Sequence, residues 1–124
     1  MTLSFKKAQA LKEAGWRQPV YQDLGPGSGE YVVAGNKTAV PWQTSLPIAY
    51  SPALEELIDG CPEEIEDGRG GRGWFSLEKK PGRYVASYRH YSELLMGWIF
   101  EGATPEEAVA DLWLALPSEL RVKP

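Results

Sequence analysis

The sequence predicts a single α+β domain spanning residues 1–124, an antiparallel sheet with three short helices packed mainly on one face. Three observations carry this expectation. Helical apolar spacing recurs near the start, in the middle and near the end of the chain. The stretches between are short β-favouring runs separated by Gly, Pro and Asn. The resulting order, helix, strands, helix, hairpin, strand, helix, has no regular βαβ alternation, so the strands are expected to pair antiparallel. A chain of 124 residues suits one core, because folding at this length removes roughly two-thirds of the unfolded surface from water.

The first helix is read in "SFKKAQALKEAG", where Phe5, Ala8, Leu11 and Ala14 recur every three residues and Lys6, Lys7, Lys12 and Glu13 lie mostly opposite. Ser4 is the expected N-cap and Gly15 the terminator, with Trp16 folding back onto the apolar face. "VYQDLGPGSGEYVVAG" then reads as two strands joined by a loose glycine loop, and "GNK" at 35 to 37 as a tight turn into "KTAVPW". Pro41 and Pro47 keep that last piece short or at an edge.

Ser51 as N-cap and Pro52 as the first helical residue introduce a second helix, "ALEELIDG", burying Leu54, Leu57 and Ile58 and ending at Gly60. "CPEEIEDGRGGRG" reads as a surface loop with an acidic and a basic half. "WFSLEKK" and "RYVASYRHY", joined by Pro81 and Gly82, form a β-hairpin. "LLMGWIFEG" adds a strand, Gly97 marking a bulge or a close backbone approach.

The last helix, in "ATPEEAVADLWLAL", opens with the spacing of a capping box, Thr104 to Glu107. Pro105 stands at the first helical position, and Glu106 and Glu107 sit where the positive end of the helix dipole favours carboxylates. The adjacent glutamates are therefore read as the way a helix begins. Ala108, Leu112, Ala115 and Leu116, with Val109 and Trp113 beside them, supply the apolar face until Pro117, leaving a short tail, 117–124.

Composition excludes several classes. With 43% hydrophobic and 24% charged residues, the chain is of ordinary soluble type. A net charge of −4 disfavours general affinity for nucleic acid or acidic membranes. One cysteine, Cys61, forms no internal disulfide and fits a reducing compartment. The amphipathic N-terminus is not a signal peptide, and no segment approaches the ~20 apolar residues of a membrane span. A cytoplasmic protein without membrane contact is the expectation.

The candidate chemistry is sparse. "GPGSG", Gly25 to Gly29, is followed by a strand-like run rather than a helix, so it reads as a turn and not a phosphate cradle. "GRGGRGW" carries Arg69, Arg72 and Trp74 and is the most distinctive exposed loop, although the acidic run beside it opposes polyanions. In "RYVASYRHY", alternation puts Tyr84, Ala86, Tyr88 and His90 on one face. That face either covers a core with hydroxyls at its rim or forms an open platform for bases or for a protein. The sole histidine and sole cysteine make a Cys61–His90 dyad conceivable, but a lone cysteine after a short helix is more often inert. No ligand spacing points to a metal, and no cofactor motif is present.

The opening "SFKKAQALKEAGW", the central "YSPALEELID", the aromatic hairpin and the closing "EGATPEEAVADLWLAL" together resemble small uncharacterised proteins encoded by phages and prophages. The resemblance implies a phage or prophage origin. It implies no activity and transfers no site residue.

The sequence therefore points to a non-catalytic protein-interaction or accessory protein, its partner another protein or a second copy of itself. Its candidate contacts are Arg69, Arg72, Trp74, Tyr84, Tyr88 and His90. For self-association, the edge near "KTAVPW" and a face carrying Trp98 and Phe100 are the candidates. The alternative is a nucleic-acid accessory module using Tyr84, Tyr88, Arg69, Arg72, Arg83 and Arg89. A small enzyme built on Cys61 or His90 is a remote third.

Overall fold

The computed structural model describes residues 3–66, 72–90 and 93–122, and for His90 and residues 93–97 the backbone alone. The chain is an α+β domain, as expected, but its strands divide into two antiparallel sheets, one of three strands and one of four.

The small sheet begins after α1 (Phe5–Glu13), which Ser4 caps by accepting from the Lys7 N–H at 3.3 Å. Gly15, at φ 101°, takes the left-handed turn that ends this helix. Trp16 folds into the core, edge-on to Trp113 at 4.8 Å. Here the structure departs from the expected strand pair. Only Glu30–Val33 forms the strand β1, while "VYQ" enters a 3-10 turn, Tyr21–Asp23. Side chains explain the difference. The Tyr50 N–H, which a neighbouring strand would engage, donates instead to Gln18 Oε1 at 2.8 Å, and the Tyr31 hydroxyl donates to the Pro19 carbonyl.

The turn at 35 to 37 forms as read, with Gly35 at φ 87° and Asn36 at φ 61°. It leads into a strand of two residues, β2 (Lys37–Thr38), before Pro41 starts a second 3-10 turn. The third strand, β3 (Ile48–Ser51), was hidden by Pro47 and by reading Ser51 as a helix cap. Ser51 ends β3 opposite Glu30, and its Oγ accepts from the Leu3 N–H at 2.9 Å. The helix α2 consequently begins later, at Leu54–Asp59, with Ala53 at the N-cap. Alanine offers no acceptor, so only the return half of a capping box forms, Glu56 Oε1 accepting from the Ala53 N–H at 2.9 Å.

The large sheet has the order β4 (Glu64–Glu66), β5 (Arg72–Lys80), β6 (Arg83–His90) and β7 (Glu93–Gly102). β4 corrects the reading of 61–73 as loop throughout: "EIE" alternates, and its central Ile65 is buried. Pro81 and Gly82 close the β5–β6 hairpin, Gly82 at φ 74°. The β6–β7 register slips between Ser87 and Arg89, where β7 carries its extra residues between Leu94 and Ile99, the stretch holding Gly97.

The last helix, α3 (Pro105–Ala115), joins the two sheets into one body, lying across β6 and β7 and touching α1 and α2. Thr104 Oγ1 accepts from the Glu107 N–H at 3.2 Å, the forward half of the expected capping box, while no hydrogen bond from the Thr104 N–H to the Glu107 carboxylate forms among the described residues. The apolar face is shifted from the one read in the sequence: Ala110 is buried and Ala115 exposed. The tail is held by Arg121, which donates to the carbonyls of Ala14, Trp113 and Leu114 and lies 4.4 Å from the Trp113 ring. Among the described residues, no helix is long and apolar enough to cross a membrane.

Candidate functional site

The hairpin expected to carry the contact surface turns its tyrosines inward. Tyr88 is 0% exposed, packs between Phe75 and Trp98, and donates its hydroxyl to the Pro62 carbonyl at 2.7 Å. Burial holds its phenol well above the ordinary range. The covering-a-core alternative is therefore the one realised for this residue, and Tyr88 leaves the set of candidate contacts. Tyr84 is half-buried against the same core, as are Trp98 and Phe100, which removes the uncovered face proposed for self-association.

The other candidates are scattered. Trp74 is 43% exposed on the opposite face of the sheet. Arg72 pairs with Glu64 at 3.2 Å, Arg83 with Glu101 at 3.2 Å, and Arg89 with Glu78, so each of these arginines stands beside a carboxylate. Arg69 lies outside the described residues. His90 ends β6 opposite Glu93, and its side chain lies outside them as well. Cys61 is buried in the core, and burial pushes its thiol from 9.0 up to about 12. A thiol so held stays protonated at neutral pH and is a poor nucleophile.

The surface that the structure does assemble lies elsewhere, at the corner of the small sheet. Tyr21 and Trp42 come from the two 3-10 turns and meet edge-to-face, ring centroids 5.0 Å apart. Trp42 is 61% exposed and Val20 58%, while Leu46 also stands open to solvent. Tyr21 borders a groove of about 540 Å³ whose walls include Tyr31, Thr38 and Val40. β2, at the end of its sheet, contributes Thr38 to the wall of this groove and has one edge unpaired among the described strands.

A second recess, of about 320 Å³, adjoins the first and shares Gly29 and Glu30 with it. Gly29 is required there: a Cβ at this position would fall 1.9 Å from the Ser51 carbonyl oxygen. Two glutamates near this recess differ sharply. Glu56 Oε1 accepts from the N–H groups of Gly29 and Ala53 and from the Tyr50 hydroxyl, at 2.9, 2.9 and 2.7 Å. Burial and the Glu56 carboxylate raise the Tyr50 phenol accordingly. Glu106, which lines the recess, is 8% exposed, and its Oε2 has no hydrogen-bond partner.

The sequence offers part of the first surface, the edge near "KTAVPW", as a candidate for self-association, and gives no sign of the second. The aromatic corner was assigned to strands, which would have alternated Tyr21 and Trp42 between faces. Glu106 carries only the signal of a helix start. Comparison of the chain with known protein families, with curated proteins and with solved structures finds no match in any of the three.

Proposed function

We propose that this chain is a non-catalytic interaction protein that docks an extended segment of another protein in the groove bordered by Tyr21, with Trp42 packed against that tyrosine. The carrying observation is the edge-to-face pair of Tyr21 and Trp42, two large aromatics left open to solvent, of which Tyr21 lines the adjoining concave surface. Exposed aromatic anchors beside a groove are the usual source of binding energy at protein interfaces. The free edge of β2 offers backbone groups to a chain laid alongside it, which favours an extended partner over a helical one. The glutamates beside Arg72, Arg83 and Arg89 favour a protein over a phosphate backbone as partner. The protonated thiol of Cys61 supports the non-catalytic reading. A cytoplasmic setting rests on the single cysteine, and a phage or prophage origin on the resemblance in helix starts and hairpin.

Selection of a displayed random-peptide library on the purified protein tests this reading. Enriched peptides should bind the wild type at least about tenfold more tightly than Trp42→Ala, since central aromatic anchors contribute about 2 kcal/mol or more. Enrichment of nothing, or of peptides that bind Trp42→Ala equally well, would overturn it.

A further inference from the structure

We propose that the recess beside Glu106 receives a primary ammonium group, the side-chain terminus of a lysine in the docked segment. The inference rests on the interaction reading above and adds the chemistry of one partner residue.

A carboxylate removed from water needs a cation or several donors, because an isolated buried charge is strongly unfavourable. Glu56 shows how this chain satisfies such a group, with three donors on one oxygen. Glu106, only 8% exposed, has none on Oε2, and no Lys, Arg or His lines the recess among the described residues. Glu30, exposed and also lining the recess, adds a second negative charge. The start of α3 lends Glu106 partial positive charge, and a cation entering the recess would complete the compensation.

The geometry selects among cations. No cluster of three or more potential metal-ligating side chains occurs among the described residues, which speaks against calcium with its six to eight oxygen ligands. A guanidinium is a planar fork suited to two coplanar acceptors, whereas an ammonium is a compact charge with three rotatable donors. The single unpartnered oxygen of Glu106 suits that compact charge better than a planar fork. The recess and the groove share Gly29 and Glu30 in their walls, so a segment docked in the groove would pass beside the recess. Its backbone and apolar side chains would occupy the groove while a lysine stem spans the junction.

The test is protein-observed NMR titration with four probes: n-butylammonium chloride, Nα-acetyl-lysine methylamide, the uncharged Nα-acetyl-norleucine methylamide, and calcium chloride. The expected result is saturable shifts at Gly29, Glu30 and Ala53 with both ammonium probes and none with the norleucine probe. Glu106→Gln should weaken ammonium binding roughly thirtyfold, as removal of one partner of a desolvated charge pair does. Trp42→Ala should leave n-butylammonium binding intact. Equal response to the norleucine probe, saturation by calcium but not by ammonium, or undiminished binding to Glu106→Gln would overturn the assignment. Should Glu106→Gln not fold, the comparison of charged and uncharged probes on the wild type decides alone. Loss of ammonium binding with Trp42-dependent peptide binding retained would sink only this inference. The converse, ammonium binding without any Trp42-dependent peptide, would sink the interaction reading and the lysine assignment with it.

Discussion

The tyrosine strand of the large sheet and the aromatic corner of the small one use the same kind of side chain in opposite ways. Tyr88 sits on an inner strand with neighbours on both sides and α3 across it, and is fully buried. Trp42 sits in a short turn beyond a two-residue edge strand and is 61% exposed. What decides is position in the sheet rather than composition. An aromatic face on an inner strand is covered by whatever crosses it, while an aromatic beyond a sheet's edge has no such cover.

The largest effect that would break this contrast is on stability. Tyr88→Ala should cost about 3–5 kcal/mol in urea unfolding, since it removes a buried ring and leaves the Pro62 carbonyl without its donor. Trp42→Ala should stay within about 0.5 kcal/mol of the wild type, as surface substitutions do. Comparable losses in the two variants would erase the distinction.

Cys61 sharpens the buried side of the comparison. Its folded value of about 12 lies above the 9.0 expected of an open thiol. The neutral thiol is therefore favoured by folding, and its contribution is fully present below pH 9 and lost as pH rises toward 12. The urea midpoint should fall more steeply across that interval in the wild type than in Cys61→Ala, which lacks the titrating thiol. Parallel curves would contradict the buried environment.

Smaller effects belong to the helix start and the sheet surface. Thr104→Ala should cost about 1 kcal/mol through loss of the hydrogen bond from the Glu107 N–H, measured as a lower melting midpoint. Arg72→Ala, at an exposed pair with Glu64, should change stability by less than about 0.5 kcal/mol. A larger loss there would mean that the charged edge of the large sheet matters more to the fold than its geometry implies.

Much of the fold was legible because its signals are local. Ser4 and Gly15 bracket α1, Pro81 and Gly82 turn the hairpin, and Thr104 caps α3, each through contacts within a few residues. The misread elements depend on distant partners. Gln18 occupies the β3 edge through its side chain, Ser51 serves Leu3 from across 48 positions, and Ile65 joins the sheet by pairing with Gly73. No local pattern announces such contacts. The candidate site was less legible for the same reason: Tyr21 and Trp42 are separated in sequence and joined by two turns, and Glu106 differs from Glu107 only in what the fold places around it.

The most direct test of the central claim sets the two aromatic regions against each other in one binding assay. A peptide selected on the wild type would be titrated by isothermal calorimetry into the wild type, Trp42→Ala and Tyr84→Ala, each confirmed folded. The account predicts at least about a tenfold loss of affinity for Trp42→Ala and none for Tyr84→Ala. Loss in Tyr84→Ala with Trp42→Ala unaffected would return the contact surface to the hairpin and contradict the account.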